Sequence, residues 1–174
     1  MIRFLRRVAD DRQGVAAMEF ALIFPLIFLL NMGAVEALQV YQAQRNVSHI
    51  AATVADITAQ GRTVTDSELR DILSAGISMM HPFPNAGLQQ RLSSFSASSN
   101  GTVSRDWTYA RDYKASGDAA VPSGYLGANE SVIVSDVIYD YEPAFGFFLP
   151  DKIRMTRHAY ARPRLTLRVE KVTD

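Results

Sequence analysis

The chain has 174 residues, which suits one domain and an additional segment but is short for two full domains. Its 18 basic and 18 acidic side chains balance, so its charge does not indicate a nucleic-acid partner, and the absence of cysteine excludes disulfides and thiolate metal sites. The charge is uneven along the chain, because residues 1–14 contain four arginines and two aspartates. This basic segment precedes a long apolar one, an order typical of proteins that enter a membrane.

The segment that follows residues 1–14 is almost wholly apolar. Glu19 is the only charged residue from Val15 to Val35. As a helix, this segment would span about 31 Å, which matches the hydrocarbon core of a bilayer. Arginines on its N-terminal side predict a cytoplasmic N-terminus and a C-terminal part on the other side of the membrane. We therefore predict a basic leader over 1–14 and a single membrane-spanning helix over 15–35.

Three interpretations of this segment remain open on composition alone. A cleaved secretory signal would end after the apolar run, where Met32-Gly33-Ala34 resembles a cleavage site. An uncleaved signal anchor has the right length. It leaves the free-energy cost of burying the Glu19 carboxylate in the bilayer unexplained, unless that carboxylate extends back to the cytoplasmic face. Cleavage between Gly14 and Val15 would instead keep the helix in the mature protein, with Glu19 as its fifth residue.

The residues around Glu19 resemble the signal of a known group of proteins. A basic leader that ends in Gly14, four small or apolar residues, Glu19 and the aromatic Phe20 form the prepilin-peptidase signal of type IV pilins and pseudopilins. The longer string GVAAMEFALIFPLIFLL is similar to TadE-like proteins of the tight-adherence (Tad, or Flp) pilus system, as is the continuation that contains Glu36. Major Flp pilins are much shorter and usually carry tyrosine where this chain has Phe20. The resemblance therefore favours a minor pilin or pseudopilin.

This resemblance implies an inner-membrane protein with a periplasmic C-terminal domain that a prepilin peptidase cleaves after Gly14. The implied partners are that peptidase, other Tad pilins and pseudopilins, the inner-membrane assembly platform and membrane lipid, with incorporation into the extracellular pilus as a further expectation. In an assembling pilus, the carboxylate of Glu19 would pair with the free amine of Val15 on a neighbouring subunit. Such pairing would offset the desolvation of the carboxylate and penalise a wrong register.

Two further features of the apolar helix lead to expectations. Pro25 lacks an amide hydrogen and is expected to kink the helix around residues 21–25. Asn31 and Gly33 are polar or small positions where a partner helix could approach closely. Beyond residue 35 the pattern becomes amphipathic, and we predict that the helix continues over 36–61 and stops at Gly61.

The remaining sequence, residues 62–174, predicts a globular α+β domain. A capping box of Thr65 and Glu68 opens a second, short helix. Asn100-Gly101 predicts a hairpin with a type I′ turn, and SVIVSDVIYDY and KIRMTRHAYARP predict further strands. Helices followed by strands indicate an antiparallel sheet packed on the helices. The long N-terminal helix on such a sheet is also the pilin-like arrangement that the resemblance implies.

No pattern in the sequence predicts catalysis, a cofactor or a metal site. The three histidines, His49, His81 and His158, are isolated and have no zinc-ligand spacing, and no nucleophile elbow or phosphate-binding loop occurs. Four acids are interpreted as solvated loop or strand residues: Asp112, Asp118, Asp136 and Asp140. We predict a non-enzymatic protein that is the substrate of its peptidase. The alternative is a membrane-anchored extracytoplasmic enzyme or ligand-binding module with no role in a pilus.

A dense apolar loop, residues 145–149, contains three phenylalanines between two predicted strands. Loops of this composition most often fold back on the core as a lid. If the side chains were exposed, the loop would instead be a contact surface. We expect the lid.

Overall fold

A computed structural model describes residues 12–117 and 121–173, so the first eleven residues of the predicted leader and Asp118 lie outside the described residues. The described part is an α+β structure with two helices, a four-stranded antiparallel sheet and a pair of short strands, as the sequence predicts. The elements are α1 Arg12–Gln60, β1 Thr63–Val64, α2 Asp66–Ser78, β2 Leu88–Ala97, β3 Val103–Arg111, β4 Ser131–Tyr141, β5 Ile153–Ala161 and β6 Glu170–Lys171.

Helix α1 is one unbroken helix of 49 residues, about 74 Å long. It includes both the predicted membrane span and the predicted amphipathic continuation. It runs through Pro25 without interruption, which membrane helices tolerate, and the kink itself stays a prediction. The helix ends before Gly61, where a side chain would lie only 2.9 Å from the carbonyl oxygen of Thr63. Glycine is therefore needed at this stop for the close approach of the backbone.

Helix α2 begins at the predicted capping box. The backbone amide of Glu68 donates to the Thr65 hydroxyl at 3.2 Å, and the amide of Thr65 donates to the Glu68 carboxylate at 2.8 Å. The two bonds satisfy backbone donors that the first helical turn leaves without partners. The helix places Leu69 and Leu73 in the core, against the second half of α1.

The sheet has the strand order β3-β2-β4-β5, and every neighbouring pair is antiparallel. The hairpin between β2 and β3 turns at Asn100-Gly101 as predicted, but the predicted type I′ turn is wrong. Of these two residues only Gly101 has a positive φ, 81°. The connection spans residues 98–102, in which the side-chain oxygen of Asn100 accepts a hydrogen bond from the amide of Thr102 at 3.1 Å. This side-chain bond stabilises a longer loop than a two-residue turn.

Strand β4 lies in the middle of the core because it is buried on both faces. Its odd-numbered residues Ile133, Val137, Tyr139 and Tyr141 face α1 and α2, whereas Val132 and Val134 pack in a smaller cluster under the segment 121–126. Strand β5 runs alongside α1 in the same direction. Arg157 of β5 is bonded to Ser48, and Arg164, just after the strand, is bonded to Asp56. The connection between β4 and β5 therefore lies at the end of the domain nearest the apolar half of α1.

Candidate membrane and assembly site

The N-terminal half of α1 is apolar, and no described residue packs around it from Val15 to Asn31. The helix from Gly14 to Gln60 is long and apolar enough to cross a membrane, by length and composition. Every described side chain from Val15 to Asn31 is exposed, including Leu22 and Leu30. Apolar surface of this size on a water-soluble protein would favour aggregation, so lipid or other apolar helices are expected to cover it.

The predicted cleavage site, Gly14 and Val15, lies in the first described turns of α1. A side chain added at Gly14 would meet no atom within 4 Å, and the side chain of Val15 is exposed. The packing of the described residues therefore does not require glycine at position 14.

The predicted assembly residues Glu19 and Phe20 also lie on the exposed helix surface. Glu19 has no hydrogen bond or ion pair with any residue that the structure describes. Phe20 begins a column of rings one turn apart, with centroids 5.5 Å from Phe24 and a further 6.0 Å to Phe28. This column continues the apolar surface around the acid, so Glu19 is an isolated polar group within an exposed apolar surface.

A second glutamate, Glu36, appears in the sequence analysis only as part of the family resemblance, and no role was predicted for it. It is the first charged residue after the apolar run, and it is only 1% exposed. Its carboxylate accepts hydrogen bonds from the backbone amides of Phe147 at 3.1 Å and Phe148 at 3.3 Å. These two hydrogen bonds hold the β4–β5 loop against the helix.

The predicted core lid formed by residues 145–149 is wrong. Phe145, Phe147 and Phe148 are all largely exposed, and the loop lies against α1 at the end of the apolar run. The ring of Phe148 would lie 3.4 Å from a side chain added at Gly33. Gly33, expected to admit a partner helix, is therefore approached by the chain's own loop.

The base of this loop is fixed to the helix by a second contact. The hydroxyl of Tyr141, the last residue of β4, donates to the side-chain oxygen of Gln39 at 3.3 Å. Burial raises the pKa of Tyr141, and the negative charge of Glu36 raises it further. The phenol therefore stays protonated and able to donate at any physiological pH.

A buried ion-pair network lies on the opposite face of the sheet. Asp136, expected to be a solvated acid, is fully buried, and His158, expected to be isolated, places Nδ1 2.6 Å from its carboxylate. The guanidinium of Arg91 donates to the same carboxylate at 2.9 and 2.7 Å and lies 4.3 Å from the ring centre of Tyr113. Arg91, Asp136 and His158 are direct cross-strand neighbours on β2, β4 and β5. Sequence alone missed them because the strand register was unknown.

A histidine hydrogen-bonded to a buried carboxylate, as His158 is to Asp136, is an arrangement that also occurs in active sites. In the described ranges, no group of three or more His, Cys, Asp or Glu side chains is arranged to hold a metal ion. Arg91 already pairs with Asp136, as in structural networks that tie strands together. A structural role in holding three strands together therefore explains this arrangement, and no catalytic role is needed to explain it.

Comparison with known proteins identifies one family. Residues 14–56 match the family model described as TadE-like protein. No curated protein and no solved structure matches the chain. The match begins at Gly14 and includes Glu19, Phe20, Pro25 and Glu36, so the resemblance predicted from the sequence is confirmed over α1, about a quarter of the chain.

Proposed function

We propose that this chain is a minor pilin or pseudopilin of a Tad-type pilus, held in the inner membrane by the first half of α1 with its α+β domain in the periplasm. The observation that carries the proposal is the TadE-like match, which begins at the glycine where a prepilin peptidase would cut. The exposed apolar surface from Val15 to Asn31 supports the same function, because it suits lipid before assembly and neighbouring helices after it.

The packing of the described residues gives no need for glycine at position 14, and this supports cleavage after Gly14. Glycine inside a helix costs about 1 kcal/mol relative to alanine, and a side chain at Gly14 would meet nothing within 4 Å. A peptidase that must bring the scissile backbone close to its catalytic groups supplies a reason for keeping the glycine. Cleavage would turn the backbone nitrogen of Val15 into a free amine about one turn from Glu19.

The isolation of Glu19 supports a partner on another subunit. A carboxylate in apolar surroundings is costly unless it is paired. The proposed partner is the Val15 amine of a neighbouring pilin. In the other interpretation the carboxylate extends back to the cytoplasmic face, and its charge has no role in assembly.

The processing experiment measures the intact mass of the protein recovered from membranes of cells with and without an active prepilin peptidase. We expect loss of residues 1–14 with the apolar run retained, and Gly14→Glu should block this processing. A catalytically inactive peptidase is the control. A mature N-terminus near Val35 would identify a conventional signal peptide and contradict the pilin function.

The role of Glu19 is tested separately in the processed protein. Glu19→Gln keeps the size of the side chain and removes its charge, so insertion and cleavage should persist. Incorporation into pili and crosslinking to other pilins should fall, because the neighbouring amine is left buried without its partner. Wild-type piliation of the processed variant would contradict the pairing mechanism while leaving cleavage intact.

A further inference from the structure

The aromatic loop, residues 142–150, lies beside α1 at the level where the apolar run ends. The uncharged stretch covers residues 20–35, and Glu36 holds the amides of Phe147 and Phe148 directly after it. The ring of Phe148 reaches back to Gly33, about 4.5 Å further into the apolar run. The loop is therefore close to the plane where the helix leaves the hydrocarbon core.

The surface of the loop is apolar at its tip and charged at its base. Phe145, Phe147 and Phe148 are exposed at the tip; Phe147 is 65% exposed. Behind them, Lys152 pairs with Glu142 at 3.1 Å, where both side chains remain more than half exposed. An apolar tip with a charged rim is the distribution of groups expected at the boundary between acyl chains and headgroups.

From this geometry we propose that the aromatic loop inserts its phenylalanines into the outer leaflet of the membrane and seats the α+β domain on the bilayer. The occupant is lipid because the exposed rings continue the apolar surface of the helix that spans the same membrane. This inference rests on the proposed membrane anchoring by α1, but not on cleavage or on a role in a pilus.

Glu36 is the positioning residue for this loop. At the membrane boundary, two backbone amides without hydrogen-bond partners would be costly to bury. The Glu36 carboxylate satisfies both, and it does so on the rigid helix that sets the depth of the domain. Gly146, with φ 65°, supplies the reversal between Phe145 and Phe147 that presents the rings on one side.

The experiment uses the full chain, reconstituted in vesicles of phosphatidylethanolamine and phosphatidylglycerol. Because the chain has no cysteine, Phe147→Cys can carry a single nitroxide label. Collision with oxygen, which concentrates in the bilayer, is compared with collision with a water-soluble nickel chelate. We expect the label at position 147 to favour oxygen over nickel at least severalfold.

The matched control is Leu167→Cys, an exposed apolar position (80% exposed) at the other end of the domain. The carbonyl of Leu167 accepts from Ser131 at the start of β4, whereas the loop follows the end of that strand, about 33 Å away. The label at position 167 should favour nickel. Equal nickel accessibility at positions 147 and 167 would overturn the proposal, and so would a position-147 label shielded from both reagents, which would identify a protein partner.

A second pair of variants tests the positioning role of Glu36. In Glu36→Ala, the label at position 147 should become more mobile and more accessible to nickel, because the loop has lost both hydrogen bonds to the helix. In Gln42→Ala, an exposed position further along α1 with no hydrogen bond to the loop among the described residues, the label should be unchanged. Fluorescence of Trp107, the single tryptophan, reports whether each variant is folded. A folded Glu36→Ala protein with an unchanged label would overturn this role.

Failure of this inference and failure of the proposed function remain distinguishable. An immersed label in a protein that the peptidase never processes would support the loop and reject the pilin. A normally processed pilin with a water-exposed label would reject the loop alone.

Discussion

The two halves of α1 have the same backbone structure but different surroundings. From Val15 to Asn31 every described side chain is exposed and almost all are apolar, whereas the second half buries one stripe against α2, β4 and β5. That stripe recurs every three or four residues and includes Ala43, Val47, Ile50 and Val54. One continuous helix is therefore exposed on all sides in its first half and buried along one face in its second half. Its sequence changes from almost uniformly apolar to amphipathic where this change in burial occurs.

The boundary between the two halves of α1 is marked by the contact of Glu36 with the β4–β5 loop. Glu36 is buried by its own chain directly after the apolar run, and the chain returns to it 111 residues later. The second half of α1 is therefore covered by the chain's own domain, whereas no described residue covers the first half from Val15 to Asn31.

The largest difference between the halves is expected from removing one isoleucine side chain in each. Ile50 is fully buried and Ile27 is 60% exposed. Ile50→Ala should lower the free energy of unfolding by about 2–5 kcal/mol, because it leaves a cavity in the core. Ile27→Ala should leave that free energy nearly unchanged. Urea unfolding in detergent micelles, followed by Trp107 fluorescence, measures both, and equal losses would contradict the division of α1.

An intermediate effect is expected from adding one methyl group at a glycine. A side chain at Gly76 of α2 would overlap Oε1 of Gln90 and lie 3.2 Å from methyl groups of Ile50 and Val54 on α1. Gln90 cannot move freely, because its amide donates to the carbonyl of Leu73 at 3.0 Å. Gly76→Ala should therefore destabilise the domain by about 1–3 kcal/mol in the same unfolding measurement, although alanine favours the helix.

Gly33→Ala is the matched control in the other half of the comparison. Its added methyl would lie 3.4 Å from the ring of Phe148, an ordinary van der Waals distance. The variant should be as stable as the parent or slightly more stable. A larger loss at Gly33 than at Gly76 would mean that the loop packs on the helix more tightly than the core does.

The smallest effect is expected where β4 ends and β5 begins, next to the aromatic loop. There Arg154 donates to both carboxylate oxygens of Asp140 at 2.8 and 3.0 Å. These hydrogen bonds hold the pKa of Asp140 below its usual range. A lowered pKa in the folded state adds stability above the unfolded carboxyl pKa of about 4, and that stability is lost as the pH falls below it. Because Arg154 is exposed, the contribution is small.

Asp140→Asn should therefore melt slightly below the parent at pH 7, and the difference should shrink as the pH falls from about 4 toward 3. Thermal melts across this range measure the difference. A difference that persists unchanged at the lowest pH would assign it to packing of the side chain rather than to its charge.

Much of the fold could be predicted because it depends on neighbours in the sequence. The capping box at Thr65, for example, needs only a hydroxyl and a carboxylate three residues apart. The turn type at Asn100-Gly101 could not be predicted, because the side chain of Asn100 bonds within a longer loop. The lid prediction for residues 145–149 failed because apolar composition does not distinguish a loop that packs on the core from a loop that stays exposed.

Three features could be predicted from the order of residues along one segment: the long helix, the change from an apolar to an amphipathic surface near residue 35, and the likeness to TadE-like proteins. The contact of Glu36 with the aromatic loop and the network of Arg91, Asp136 and His158 are visible only in the folded domain. The physical reason is that these contacts depend on the strand register and on where the chain returns. Both are determined by packing of the whole domain, over separations of 45 and 111 residues that no local pattern encodes.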